Sequence, residues 1–354
     1  MKNVYINSVC SISAQKTYDN SDFLDEVITY NDTVIPAVNP NYKDFIPPSA
    51  SRRMAKGIKM SIVAAKIALN EADLENVDAI ITGTGMGGLR DSEKFLKAII
   101  ENEELYLTPT PFIQSTHNTV GGQIALELGC KGYNFTYVHS SVSFESALLD
   151  ATLQLQLDEA NNILIGGVDE LADYTVKIHR IVKHIKAEEI NSNKLLASKT
   201  KGAVFGEGAN FFVLSNKKQT SSYAKVLDVK IINTLPEDTL EQSAISFLEA
   251  NNLQIKDLDL LILGNNGDID YDHIYDTLSS NAFNTTPKAY YKHLCGEFNT
   301  ASSFGIWLAA KILKTQQLPN EVQLNTAPSS SYKTVLLYNQ YRGENHSFVL
   351  LGKD

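Results

Sequence analysis

The apolar positions of this chain alternate between two spacings, which predicts alternating strands and helices. Residues 134–138 are rich in β-branched and aromatic side chains and predict a strand that ends at a cluster of serines. Residues 144–157 carry apolar side chains at helical spacing around most of the circumference, so we expect a buried helix. A short apolar strand at residues 162–165 then ends at Gly166-Gly167.

This order of strand, tight turn and buried helix places a small side chain at a helix N-terminus. Unpaired N–H groups and the helix dipole favour negative charge there, which stabilises a nucleophile or an oxyanion. Ser140, Ser141 and Ser143 are therefore candidates for chemistry, and they are equally candidates for simple N-caps of the helix. The local pattern leaves both interpretations open.

The same rhythm of strands and helices runs through two halves of the chain. The polar, turn-rich segment at residues 215–222 predicts a boundary, so we expect one α/β half at residues 1–215 and another at 223–354. Their similar order suggests an internal structural duplication with buried sheets. In the second half the pattern predicts strands at 225–232, 258–263, 335–337 and 347–351, and helices at 240–250, 271–278 and 298–313.

A glycine-rich turn at residues 83–88 follows a predicted strand at 77–81. Such turns can cradle a phosphate, but this spacing fits neither the dinucleotide fingerprint nor a P-loop. We therefore expect the glycines to serve close backbone packing.

Composition narrows the classes of partner and compartment. The 354 residues are 43% hydrophobic and 20% charged with a formal net charge of −10, which argues against nucleic acid or an anionic membrane as a partner. The three cysteines, Cys10, Cys130 and Cys295, lack metal-ligand spacing, so we expect reduced thiols and neither a metal nor another cofactor. The N-terminus lacks the apolar run of a signal peptide, and we expect a cytoplasmic protein.

Several short motifs, taken in order, resemble the β-ketoacyl synthases of the thiolase fold, the condensing enzymes of fatty-acid and polyketide synthesis. Each motif is weak alone, but their order and spacing match over nearly the whole chain. The resemblance implies two similar α/β halves with buried mixed sheets in a layered α-β-α-β-α arrangement. The matching segments are Arg52-Arg53-Met54, Gly83-Thr84-Gly85-Met86-Gly87-Gly88, Gly121-Gly122, Gly166-Gly167 and Gly206-Glu207-Gly208-Ala209.

At the family's active-site positions the sequence departs from the pattern. The resemblance puts Ser141 at the position of the nucleophilic cysteine and Asn266 at that of the first histidine. The second histidine of a Lys-x-x-x-Gly-His motif becomes Glu297, while the lysine is kept as Lys292. The gating phenylalanine corresponds to Tyr341. The family's nucleophile and both histidines are thus replaced.

These positions also have plain structural interpretations. Glu297 is an acidic residue of the kind favoured at a helix start, Lys292 fits a solvated charge, and Tyr341 fits a packing aromatic. Their joint placement favours a site. A serine there needs a positioned general base, which Asn266 cannot be. An ionised Glu297 would repel a malonyl carboxylate by roughly 4 kcal/mol at about 4 Å and an effective dielectric of about 20.

Three functions remain open on these grounds. The leading hypothesis is a non-condensing subunit resembling chain-length factors, paired with an active ketosynthase or with itself, and an acyl carrier protein is a further candidate partner. The second is an acyltransferase or hydrolase in which Ser141 accepts the acyl group and Glu297 or His139 is the base. The third is a stand-alone structural homodimer without acyl binding.

Overall fold

The computed structural model describes residues 2–21, 23–325 and 331–353, and this part of the chain forms twelve strands and eleven α-helices. The strands are β1 (Val4–Ile12), β2 (Val34–Ile35), β3 (Ala79–Gly83), β4 (Tyr133–Tyr137), β5 (Asn162–Asp169), β6 (Phe205–Gly206), β7 (Gly208–Ser215), β8 (Ala224–Ile232), β9 (Leu260–Leu263), β10 (Lys288–Tyr290), β11 (Thr334–Tyr341) and β12 (Glu344–Gly352). The helices are α1 (Pro48–Ser51), α2 (Lys56–Glu71), α3 (Leu89–Glu101), α4 (Pro109–Ser115), α5 (Thr119–Leu128), α6 (Ser143–Gln156), α7 (Asp173–Ile181), α8 (Glu237–Ala250), α9 (His273–Ser280), α10 (Lys292–Cys295) and α11 (Ser302–Thr315).

Ten of the strands form one mixed sheet that contains the same strand order twice. From one edge to the other the order is β10-β9-β11-β12-β8-β1-β7-β5-β3-β4. Each half contributes five strands, and from its outer edge to the junction these stand in the sequence order third, second, fourth, fifth, first. In each half the fifth strand, β7 or β12, is antiparallel to both neighbours. The two similar halves expected from the sequence are confirmed in this topology, whereas their exact boundary at residues 215–223 stays a prediction.

The two half-sheets are joined directly, which the sequence did not indicate. β1 and β8 pair antiparallel from Val4 opposite Val226 to Ile6 opposite Ala224. The halves therefore share one hydrogen-bonded ladder at their junction.

Alternation along the strands separates a central core from two outer ones. Ile163 and Ile165 on β5 face the central core, while Leu164 between them faces the outer core of the first half. Leu337 and Leu336 on β11 divide in the same way between the central core and that of the second half. Helices α6 and α11 fill the central layer, with α2 and α5 outside one half-sheet and α8 and α9 outside the other. The layered thiolase-type arrangement is thereby confirmed.

Helix α6 is buried around most of its circumference, as the sequence predicted. Ten of its fourteen residues are buried, among them Leu148 and Leu155 in the central core. Only a narrow stripe beside the edge strand β4 reaches the surface, where Leu153 is 48% exposed and Leu157, just past the helix, is 68% exposed.

None of the helices in the described ranges is both long and apolar enough to cross a bilayer.

Candidate functional site

The glycine-rich turn after β3 packs its backbone against neighbouring segments, as expected. A Cβ added to Gly83 would lie 2.5 Å from the Ser143 carbonyl oxygen at the start of α6. One added to Gly88 would lie 2.1 Å from the carbonyl oxygen of Gln114. Side chains larger than hydrogen do not fit at either position.

Asp169, at the end of β5, connects this turn to the segment before α11. Its Oδ1 accepts from the Gly85 N–H at 2.8 Å and from the Thr84 hydroxyl at 3.1 Å. Its Oδ2 accepts from the N–H and the hydroxyl of Thr300, both at 2.8 Å. Burial raises the pKa of the Asp169 carboxyl, and these hydrogen bonds oppose the rise. The glycine-rich turn and the residues before α11 are therefore held in one fixed arrangement.

Ser141 lies in a short 3₁₀ turn, Ser140–Val142, between β4 and α6. Ser140 has a φ of 52°, in the left-handed region, so the chain turns sharply before the helix. The Ser141 side chain is 2% exposed, and its hydroxyl makes no hydrogen bond within the part of the chain that the structure describes. No side chain among the described residues caps the start of α6, and the Ser143 hydroxyl instead accepts from the N–H of His139, before the helix, at 2.8 Å.

Neither base suggested for Ser141 is bonded to it. The His139 Nδ1 lies 3.2 Å from the hydroxyl of Ser146, one turn along the helix. Glu297 is engaged by two other side chains. The structure thus places Ser141 at a helix N-terminus without a hydrogen-bonded base.

Asn266, Lys292 and Glu297 meet directly, and we refer to these three residues as the Glu297 cluster. The Glu297 Oε2 accepts from the Asn266 amide at 2.6 Å and from the Lys292 ammonium at 2.7 Å. Lys292 and Glu297 are 1% and 3% exposed, so the solvated-charge interpretation of Lys292 is wrong. Helix α11 begins only at Ser302, so Glu297 does not lie in its first turn either.

Two chain segments build the cluster, the loop after β9 and residues 292–297. Asn266 follows β9, and its loop is fixed by Asp272, whose carboxylate accepts from the N–H groups of Asn266 at 3.0 Å and Gly267 at 2.9 Å. Lys292 opens the short helix α10, and Gly296 with a φ of 76° turns the chain into Glu297. Burial raises the pKa of Asp272 to about 6.

Tyr341 ends β11 beside the cluster. Burial raises the pKa of its phenol to about 12, and the negative charge of Glu297 adds to the rise. The next residue, Arg342, lies 3.5 Å from the Asp268 carboxylate and stacks its guanidinium 4.7 Å from the Tyr271 ring centre. The four positions in the second half named from the sequence are therefore brought together around Glu297, and their catalytic roles stay predictions.

The cluster changes the expected electrostatics of the site. Lys292 places a positive charge beside Glu297, which offsets the repulsion of a malonyl carboxylate expected from an isolated Glu297. That repulsion alone therefore does not argue against condensation. The remaining argument against condensation is the chemistry of the two side chains. The sequence resemblance assigns these positions to histidines, but they carry the amide of Asn266 and the ion-paired carboxylate of Glu297. No group of three or more side chains suited to hold a metal occurs in the described ranges.

The family model described as "Beta-ketoacyl synthase, N-terminal domain" matches residues 19–220, more than half of the chain. The chain belongs to the β-ketoacyl synthase family. Curated relatives include a "3-oxoacyl-[acyl-carrier-protein] synthase 2" of Staphylococcus aureus strain N315, 23% identical over 55% of this chain and 49% of that protein. The synthase 2 of Synechocystis is 24% identical over 48% of this chain and 43% of that protein. The chain thus matches about half the length of these curated relatives.

Solved structures show the same fold over whole chains. The ishigamide ketosynthase/chain length factor has a TM-score of 0.80 at 16% identity, covering 100% of this chain and 99% of its own. A β-ketoacyl synthase from Burkholderia phymatum gives 0.81 at 13% identity, covering both chains completely. A ketosynthase in complex with its chain length factor from Xenorhabdus doucetiae gives 0.79 at 16% identity, covering 100% and 98%. At these identities the likeness establishes the thiolase fold of this β-ketoacyl synthase family member.

The sequence did not single out three residues that shape the site. Glu145 is fully buried one helical turn after Ser141 and accepts from the Ser347 hydroxyl at 2.8 Å. Asp272 fixes the Asn266 loop, and Asn299 contacts the serine turn. An acidic residue on an apolar helix was the available signal for Glu145. Nothing in the sequence pattern marked Asp272 or Asn299.

Proposed function

We propose that this chain is a non-condensing, ketosynthase-like subunit, similar to a chain-length factor, that pairs with an active ketosynthase. The observation that carries the proposal is the Glu297 cluster. The sequence resemblance assigns the positions of the two family histidines to Asn266 and Glu297. The Asn266 amide and the Lys292 ammonium both donate to the same oxygen of the Glu297 carboxylate. Neither side chain is set to exchange a proton with a substrate.

The nucleophile position supports the same role. A serine hydroxyl requires a general base in hydrogen-bond reach, and Ser141 has none bonded to it among the described residues. The cysteines do not replace it, because burial raises the pKa of both Cys10 and Cys295 far above the usual thiol range.

The surface offers a place for a protein partner. Strand β4 is the edge of the ten-stranded sheet, and its Tyr133 and Phe135 are each 44% exposed. Helices α3 and α4, which pack on each other, carry the exposed apolar side chains Leu96, Ile100 and Phe112. An open, aromatic edge strand of this kind is suited to continue a sheet into a second chain. Under this proposal an acyl carrier protein delivers substrate to the active partner.

The pairing is tested by co-expressing this chain with a tagged active ketosynthase. The molecular mass of the purified complex is then measured. We expect a 1:1 complex whose mass is the sum of the two chains. A mass equal to twice this chain would identify a homodimer instead. Failure to co-purify with any ketosynthase of type II polyketide, aryl-polyene or fatty-acid systems would contradict the proposal.

A further inference from the structure

Asn299 spans the gap between the glycine-rich turn and the turn that carries Ser141. The Ser140 hydroxyl donates to the Asn299 Oδ1 at 3.3 Å. On the opposite side the Asn299 side chain lies against Gly85, because a Cβ placed on Gly85 would come within 2.2 Å of the Asn299 Cγ. The absence of a side chain at Gly85 is what leaves room for this amide.

A small cavity of about 50 Å³ lies on one side of this contact. Among its lining residues are Glu297, Phe298 and Asn299 with Met86 and Phe205. Glu297 and Asn299 therefore both border this cavity.

Ser141 lies next to this contact and outside the lining of the cavity. It is adjacent in sequence to Ser140, which Asn299 touches, but it does not belong to the residues that line this cavity. Its hydroxyl oxygen is inaccessible to solvent and has no hydrogen-bond partner within the described residues. A polar atom that is both buried and unsatisfied shows that this point of the fold is closed.

We infer that Asn299 closes the passage between the cavity beside Glu297 and Ser141. Its carboxamide fills the space over Gly85 and is held in place by Ser140. The volume of the side chain closes the passage, and the hydrogen bond keeps it oriented. Asn299 is thus the residue that decides whether a small electrophile or an acyl group reaches position 141. The inference goes beyond the proposed function, because access to position 141 is a property of this chain without any partner.

A thiol placed at position 141 reports this access. The variant Ser141→Cys is treated with iodoacetamide, and alkylation at each cysteine is followed by peptide mass spectrometry. Half-buried Cys130 serves as an internal reference, and fully buried Cys10 and Cys295 report any opening of the fold. The same measurement is made on Ser141→Cys combined with Asn299→Ala, and on Ser141→Cys combined with Asn299→Leu, which keeps a similar volume.

The expected result is slow alkylation of Ser141→Cys and an increase of about tenfold or more at position 141 after Asn299→Ala, since thiol reactivity follows accessibility. Asn299→Leu should leave the rate slow, because leucine still fills the passage. The rate at Cys130 should not change.

Three results would overturn the inference. The first is an Asn299→Ala rate at position 141 that equals the single-variant rate. The second is a single variant that already reacts as fast as Cys130. The third is a rise at position 141 matched by rises at Cys10 and Cys295, which would assign access to general unfolding. None of these outcomes depends on whether the chain condenses substrates or finds a partner, so the two proposals fail separately.

Discussion

Glu297 holds the polar site together, because Lys292 and Asn266 both donate to one oxygen of its carboxylate. The charges of Lys292 and Glu297 are both almost completely removed from water. A buried charge is tolerated when it is paired and hydrogen-bonded, and it is costly when its partner is lost. The cluster therefore acts as a structural unit.

Replacing Lys292 by methionine tests that structural role. We expect Lys292→Met to lower the free energy of unfolding by about 3–5 kcal/mol, because it leaves the Glu297 carboxylate buried without its counter-charge. Urea unfolding measures the change. The control is Lys201→Met, which breaks an exposed pair with Asp270 and should lower the free energy of unfolding much less than Lys292→Met does.

The double variant Lys292→Met with Glu297→Leu should regain most of the lost stability, since no unpaired charge remains. Equal, small effects of Lys292→Met and Lys201→Met would contradict the account of the cluster.

Because His293, next to Lys292, is buried, we expect the stability of the fold to depend on pH. It is 2% exposed and stacks on Tyr290 with ring centres 3.9 Å apart, and burial lowers the pKa of its imidazole to about 3. In the unfolded chain a histidine binds a proton below a pH of about 6.5, whereas the folded chain does not. Stability is therefore lost as the pH falls from about 6.5 toward 3.

The variant His293→Phe keeps the stacking and removes the proton site. Between pH 7 and pH 4.5 the wild type should lose about 2–3 kcal/mol more unfolding free energy than the variant. Urea unfolding at several pH values measures this difference. Parallel stability curves for the two proteins would show that His293 is not held neutral in the folded chain.

At the scale of elements, many of the regular stretches of the chain are those that the sequence predicted. The strand at 134–138 and the helix at 144–157 appear as β4 and α6 with ends shifted by one residue. The strand predicted to end at Gly166-Gly167 continues to Asp169, since β7 pairs with it through both glycines. Local pattern cannot show that a neighbouring strand extends the ladder.

Helices α3, α4 and α7 escaped the sequence analysis, and their packing shows why. No side chain of α3 or α7 is fully buried, and α4 buries only Pro111. Helices α3 and α7 are less apolar on average than the helices between the sheets, because charged side chains occupy their solvent-facing positions. Strand β10 is only three residues long, Lys288–Tyr290, and is too short for a period to be recognised.

The exposed edge of β4 leads to a testable prediction about association with a partner. Phe135→Lys places a charge on an exposed, aromatic edge and should prevent association with the ketosynthase partner, because charged edge strands resist pairing. The matched control is Leu227→Lys, a 38% exposed position on the interior strand β8, which should associate as the wild type does. Co-purification and mass measurement compare the three proteins.

If Phe135→Lys retains the partner as well as Leu227→Lys does, the edge of β4 is not the interface.

At the scale of the whole molecule, both halves contribute to the site. Ser141 comes from the start of α6 in the first half, whereas Asn266, Lys292, Glu297 and Tyr341 come from loops and a strand end of the second. The resemblance to ketosynthases located these positions from the sequence. It could not show the bond between Asn266 and Glu297, because residues 31 positions apart meet only after the loops have folded.

The topology of the sheet could likewise be predicted only in part. Two similar halves followed from the rhythm of the pattern, but the joining of β1 to β8 depends on a pairing between residues more than 200 positions apart. No local pattern encodes such a contact. The open edge at β4, on which the partner proposal rests, also becomes visible only once the strand order is known.

The most direct test of the non-condensing role is the formation of β-ketoacyl product by the purified chain alone. The chain is incubated with acyl and malonyl carrier-protein substrates, and the carrier-bound products are detected by mass spectrometry, with Ser141→Ala as the matched control. The account predicts no product above background from either protein. Steady product formation by the wild type at an ordinary enzymatic rate, lost in Ser141→Ala, would contradict it and make Ser141 a working nucleophile.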